Sequence, residues 1–332
     1  MTRPLADRRT VLKALAGGAL TASLPFVSPA AAAPLAELTL YGPPAGPSVT
    51  LTHGIAIDAF TAIADRTSFR AWRNPDELRA GLTSGTMASL VAPIQLGANL
   101  YNRGLGVRLL TTMTNGLLYI ISTDPEVTDL ASLRGKTLAA PFRNDLPDLI
   151  LNSLLRYEGM TPGTDLTVQS TGSPIESIQM LVLGRVDAAL VPEPAATAAT
   201  IRGAALGVDI HRAVDIQQVW GTVTRREPIL PQAGFMVTDA FLDGHADLLE
   251  PLHQALSRAV DDAIADPAAA AANAADALNM PSDVVAASIP HSNLVAVRAT
   301  ESRSAIEAML TVLAEADPAV IGGHVPDADF YL

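Results

Sequence analysis

The sequence predicts an α/β fold, a mostly parallel sheet with helices on both faces, and three observations carry that prediction. Between Thr128 and Pro194, short apolar runs alternate with stretches whose apolar residues recur at helical spacing. Each change of pattern is punctuated by Gly or Pro. The helical stretches also begin with residues suited to capping a helix. Repeated β-α-β units of this length pack as a parallel sheet covered on both sides.

Taken in order, the chain opens with Arg3, Asp7, Arg8, Arg9 and Lys13, an apolar segment from Ala14 to Val27, and the run Ser28 to Ala33. A basic start, a short apolar stretch and small residues make an export signal, with cleavage expected near Ala32 or Ala33. The pair Arg8-Arg9 resembles the twin-arginine form. Pro25, Pro29 and Pro34 stop the segment short of a membrane span. Ala36 to Tyr41 then reads as a first strand, followed by the loop Gly42 to Ser48 and a helix running through His53, Ile57 and Phe60. A loop between a strand's carboxyl end and a helix N-terminus is where open α/β sheets bind ligands, and free N–H groups there suit an anion.

Ser68 to Trp72 is the next strand, and Asn74-Pro75-Asp76-Glu77 gives an N-cap, a proline at the first helical position and a glutamate at the third. Val107 to Thr112 and Leu117 to Ser122 read as strands joined by the turn Met113 to Gly116, since Asn-Gly is a strong turn signal. Thr137 to Ala140 is a strand bounded by Pro141. Leu146, Leu149, Ile150, Leu154 and Leu155 mark an amphipathic helix ending before Gly159. Leu166 to Val168 is a strand, Ser173 caps a helix beginning at Pro174, and Val186 to Val191 is a strand stopped by Pro192 and Pro194. Later come a strand at Ala233 to Val237 and helices at Thr238–Asp243, Leu248–Ile264, Pro267–Leu278 and Ser302–Ala314.

In order along the chain stand Asp129-Leu130, Leu133-Arg134-Gly135-Lys136, Leu181-Val182-Leu183-Gly184-Arg185-Val186-Asp187-Ala188 and Pro192-Glu193-Pro194. With the strands and helices between them, these words resemble periplasmic solute-binding proteins of ABC importers, in the group that binds nitrate, taurine and aliphatic sulfonates, or thiamine-pyrimidine precursors. The resemblance implies a type II periplasmic binding protein with two lobes and a ligand cleft between them. Residues 34–122 and 225–332 would form lobe I, and residues 123–224 lobe II, with the return crossing between Trp220 and Phe235. It implies a monomer free in the periplasm that closes on a small polar or anionic solute, such as an organosulfonate, nitrate or a carboxylate, and hands it to an inner-membrane ABC permease. Thiamine-pyrimidine precursors are the alternative ligand; a biosynthetic enzyme of the same fold and a periplasmic sensor partner are the alternative roles.

Donors are then expected on both lobes. From lobe I these are Tyr41, Ser48 and Gln95, the last pointed out with Ala92 and Pro93 by the resemblance. From lobe II they are Phe142, Arg143 and Asn144 after a strand's end, and Thr171, Gly172 and Ser173 at a helix N-terminus. Arg143 suits bidentate pairing with a sulfonate or carboxylate. Glu193 faces the cleft by position in the family and suits a ligand bearing N–H groups.

Composition narrows the chemistry. The chain has no cysteine, so it offers neither disulfides nor a lipid-modified thiol. Without residues 1–33, 18 Lys and Arg face 33 Asp and Glu, a balance that disfavours nucleic acid and anionic membranes as partners. Gly135-Lys136-Thr137 lacks the first glycine of a phosphate loop, which would fall at Leu130. The histidines form no H-x-H or H-E-x-x-H pair, and no G-x-S-x-G is present. No catalytic residue, cofactor or metal is expected, and no later stretch is long and apolar enough to insert in a membrane.

Overall fold

A computed structural model describes residues 34–332. The export signal expected at residues 1–33, with its twin-arginine pair and cleavage site, lies outside the described residues. The first lobe begins with β1 (Leu38–Gly42), α1 (Gly46–Ala56), β2 (Thr67–Ala71), α2 (Pro75–Thr83), β3 (Ser89–Pro93), α3 (Ile94–Asn102) and β4 (Val107–Thr114). The chain then crosses to a second sheet through β5 (Leu118–Ser122), β6 (Thr137–Pro141), α4 (Leu146–Tyr157), β7 (Thr167–Thr171), α5 (Pro174–Val182), β8 (Ala188–Pro192), α6 (Ala195–Ala205), β9 (His211–Asp215) and α7 (Ile216–Thr224). It returns with β10 (Ala233–Thr238), α8 (Asp239–His245), α9 (Leu249–Ala265), α10 (Pro267–Leu278), α11 (Ser282–Ser288), β11 (Leu294–Arg298) and α12 (Ala299–Ala314).

The six-stranded sheet has the order β11-β4-β10-β3-β1-β2, and the five-stranded sheet the order β7-β6-β8-β5-β9. β1 pairs in parallel with β2 and β3, while β10 runs antiparallel between β3 and β4. In the other sheet β6 pairs in parallel with β7 and β8, and β5 runs antiparallel between β8 and β9. Each sheet thus receives a strand arriving from the other lobe, and that strand enters against the prevailing direction. The segment 117–122 therefore belongs to the second sheet, which corrects the lobe boundary expected after Ser122. Asn115-Gly116 is the first crossing between lobes and not a hairpin turn, because β4 and β5 lie in different sheets.

Local chemistry explains many of the element ends. Asn74 and Ser173 accept the N–H of Glu77 and Glu176, at 2.9 and 3.2 Å, as N-caps of α2 and α5. The alanine-rich segment forms α10, capped by Asp266 at Ala269 N–H and closed by Asn279 in the left-handed region. On its exposed side, the Asn273 amide donates to Nδ1 of the buried His53 at 3.0 Å and so directs His53 Nε2–H towards Asp262 at 2.7 Å. That chain of bonds ties α1 to α9 and α10 on the outer side of lobe I. Trp220, Phe235 and Phe330 are among the largest fully buried side chains; burying a phenylalanine of this kind contributes about 1.5–3 kcal/mol. Among the described residues, no helix is long and apolar enough to cross a membrane.

Candidate functional site

The carboxyl ends of β1, β3, β6 and β8, at Gly42, Pro93, Pro141 and Pro192, meet the starts of β5 and β10 at Leu118 and Ala233. This is where an open α/β sheet leaves a crevice, because helices turn away to opposite faces. A cleft of about 120 Å³ occupies it. Lobe I contributes Pro43, Ala45, Pro47, Trp72, Pro75, Ala92 and Pro93, with Gln232 and Ala233 from the returning crossing. Lobe II contributes Leu117, Leu118, Phe142, Asp145, Leu146, Pro147 and Pro192. No Lys, Arg or His is in this lining.

The lobes are joined directly around the cleft. Arg79 on α2 pairs with Asp145, the N-cap residue of α4. Gly46 N–H donates to Glu193 O at 3.4 Å, and Tyr119 donates its hydroxyl to His291 O at 2.9 Å. At the crossings, Gln232 Oε1 accepts Leu117 N–H at 2.7 Å and Asn293 Nδ2 donates to Gly116 O at 2.7 Å. Burial raises the Asp145 carboxyl above its ordinary value, with Arg79 opposing that shift.

Of the ten residues nominated from sequence, Phe142 lies in the lining. It stands in the left-handed region at φ 57°, and Asn144 follows at φ 65°. For a bulky side chain this conformation is rare and strained, and such strain gathers at binding sites. Phe142 N–H is held by Thr171 O at 3.0 Å, and Asn144 N–H by Asp148 Oδ2 at 2.8 Å. Arg143, between them, is exposed and outside the lining.

The other nominated groups are used by the fold itself. Tyr41 is half-buried against the lobe I core. Ser48 is fully buried with its Oγ lying over Gly42, where a Cβ would overlap it; this close approach accounts for the glycine. Gln95 faces away from the cleft and donates to Val320 O. Thr171 bonds Ser177 Oγ at 2.6 Å, Gly172 N–H donates to Glu176 Oε2 at 2.7 Å, and Ser173 caps the same helix. Glu193 is fully buried and its oxygens are taken by Arg212 and Thr197, so it does not offer the cleft an acceptor. The donors expected at the N-terminus of α1 are likewise spent: Gly46 N–H goes to Glu193, Ser48 N–H to Ala45 O at 3.0 Å, and Pro47 has none.

Sequence reasoning missed Trp72, Asp145 and Gln232. The loops that bring them were marked by Pro and by strand ends, but apolar and amide side chains carried no ligand signal of their own. Trp72 Nε1–H donates to Val91 O at 3.1 Å, so its indole face is what it offers.

The fold is shared with proteins of known structure. An ABC transporter protein from Parabacteroides distasonis is 18% identical, with a TM-score of 0.72, covering 90% of this chain and 98% of that one. The periplasmic aliphatic sulphonate binding protein SsuA of Escherichia coli is 14% identical, with a TM-score of 0.68, covering 90% and 96%. The periplasmic nitrate-binding protein NrtA of Synechocystis is 14% identical, with a TM-score of 0.61, covering 75% and 69%. No curated protein matches the sequence. The model of the family described as NMT1/THI5 like matches residues 89–270, more than half of the chain, from β3 through the second sheet to α10. This chain belongs to the NMT1/THI5-like family.

Proposed function

We propose that the protein is the solute-binding component of an ABC importer, exported to the periplasm, where it captures a small organic solute between its lobes and delivers it to a membrane permease. The observation that carries this reading is the cleft itself, walled by both lobes at the strand ends and floored by the two chain crossings. Family membership and the likeness to sulfonate- and nitrate-binding proteins support it. A solute held between Trp72 of lobe I and Phe142 of lobe II gains contacts with both walls at once, which favours the closed arrangement in proportion to the ligand's differential affinity for it. The Arg79–Asp145 pair then shuts the mouth.

The test is reconstitution of the permease in vesicles. Solute uptake and permease ATP hydrolysis should depend on the added protein. A permease whose rate is the same with and without the solute-loaded protein contradicts the reading.

A further inference from the structure

Among the side chains that line the cleft, one has a polar group without a partner. Gln232 is 3% exposed and is one of the residues that line the cleft. Its Oε1 accepts Leu117 N–H at 2.7 Å, which fixes the orientation of the amide, because only the oxygen can accept. Nε2 is therefore the free end, buried and unbonded. A buried donor without a partner is costly, and in a binding site it marks where a ligand's acceptor belongs. The other polar side chains of the lining are occupied, Trp72 Nε1–H by Val91 O and Asp145 by Arg79, and the α1 N–H groups are taken by carbonyls; Ser48 Oγ, also unpartnered, lies over Gly42 and outside the lining.

Charge points the same way. An anion entering this cleft would shed its hydration and find no Lys, Arg or His in the lining, and Arg79 at the mouth is already paired with Asp145. Arg143, the cation the sequence offered, is exposed outside it. The volume, about 120 Å³, is close to that of an apolar cavity of about 150 Å³ that admits benzene.

We propose that the cleft takes a small uncharged molecule with an apolar, ring-sized body and one hydrogen-bond acceptor, and that Gln232 Nε2–H meets that acceptor. The proposal rests on the solute-binding reading above and narrows its solute to a neutral class. Trp72 and Phe142 supply the apolar walls, and Gln232 the selectivity for an acceptor. A site built to donate one hydrogen bond discriminates strongly against analogues that cannot accept it.

Calorimetric titration of the full chain with cyclohexanone, cyclohexanesulfonate and nitrate tests this. Cyclohexanone should bind and change the emission of Trp72, with the ring-matched sulfonate roughly 100-fold weaker. Gln232→Glu keeps an acceptor for Leu117 N–H but removes the donor. Its affinity for cyclohexanone should fall roughly tenfold and recover as the pH is lowered and the introduced carboxyl gains its proton. Ala45→Leu leaves every hydrogen bond in place and fills the cleft, so it should abolish binding even if the Gln232 variant does not fold. Tighter binding of the sulfonate or of nitrate than of cyclohexanone would overturn the neutral class and leave the solute-binding reading standing. Failure of the wild-type chain to bind cyclohexanone at millimolar concentration overturns the proposal, as does unchanged binding in Ala45→Leu.

Discussion

Glu193 follows β8 with both carboxylate oxygens taken, one by Arg212 through Nε at 2.8 Å and through Nη2, the other by Thr197 through its N–H at 3.1 Å and its hydroxyl at 2.7 Å. Arg212 also lies over the Tyr119 ring, 5.4 Å from its centre. Removing one partner from such a pair leaves a buried charge uncompensated, so Arg212→Met should lower the unfolding free energy by about 3–5 kcal/mol in urea titration. A loss below about 1 kcal/mol would contradict that account. The same residue shows what sequence does and does not reveal about the site. Its position at a strand end beside the lobe interface was legible from the Pro-Glu-Pro word, but whether its oxygens face a ligand or Arg212 depends on β9, eighteen residues later in the chain and without apolar alternation of its own. Thr171, Ser173 and Ser48 repeat the point, since polar side chains near a strand end serve helix caps and packing as readily as ligands.

At the scale of elements, α2 and α4 are linked across the cleft mouth by Arg79 and Asp145. Asp145 stands at the N-cap of α4, yet its carboxylate makes no cap bond and turns to Arg79 instead. Burial holds its carboxyl above the ordinary value of 3.8, and Arg79 offsets this in part. The folded protein therefore keeps the proton to higher pH than the unfolded chain does. Stability contributed by this group is complete below the ordinary value and declines as the pH rises through the raised one. Asp145→Asn should flatten the part of the pH profile of the urea midpoint that lies above the ordinary value of 3.8 without destabilising the protein at neutral pH; a loss above about 1 kcal/mol there would contradict the balance of burial over attraction.

Elements with strong local signals were legible in the same way. The helix at Leu146–Tyr157 follows from its apolar spacing, that at Pro174–Val182 from the Ser173 cap, and that at Pro267–Leu278 from its alanine-rich composition. Sheet membership was not, because Asn115-Gly116 carries the chemistry of a tight turn wherever the chain goes next, and only pairing of β5 with β8 and β9 sends it across.

For the molecule as a whole, two sheets exchange one strand each, and the two crossings meet at the Leu117–Gln232 hydrogen bond. Hinge and cleft floor are thus the same few residues, so a solute that contacts the floor also bears on how the lobes stand to each other. Parallel β-α-β packing was readable from the order of strands and helices, since such units constrain topology strongly, and the division into two lobes came from the family resemblance. The character of the cleft was not, because it depends on which groups the lobes spend on one another. Native mass spectrometry of the protein purified from its own periplasm addresses this account most directly, alongside Ala45→Leu prepared identically. The wild-type chain should carry one small molecule that is released on unfolding, and the filled-cleft variant should carry none. An adduct retained in Ala45→Leu would place the solute elsewhere, and a wild-type chain that stays bare after incubation with periplasmic extract would contradict solute capture.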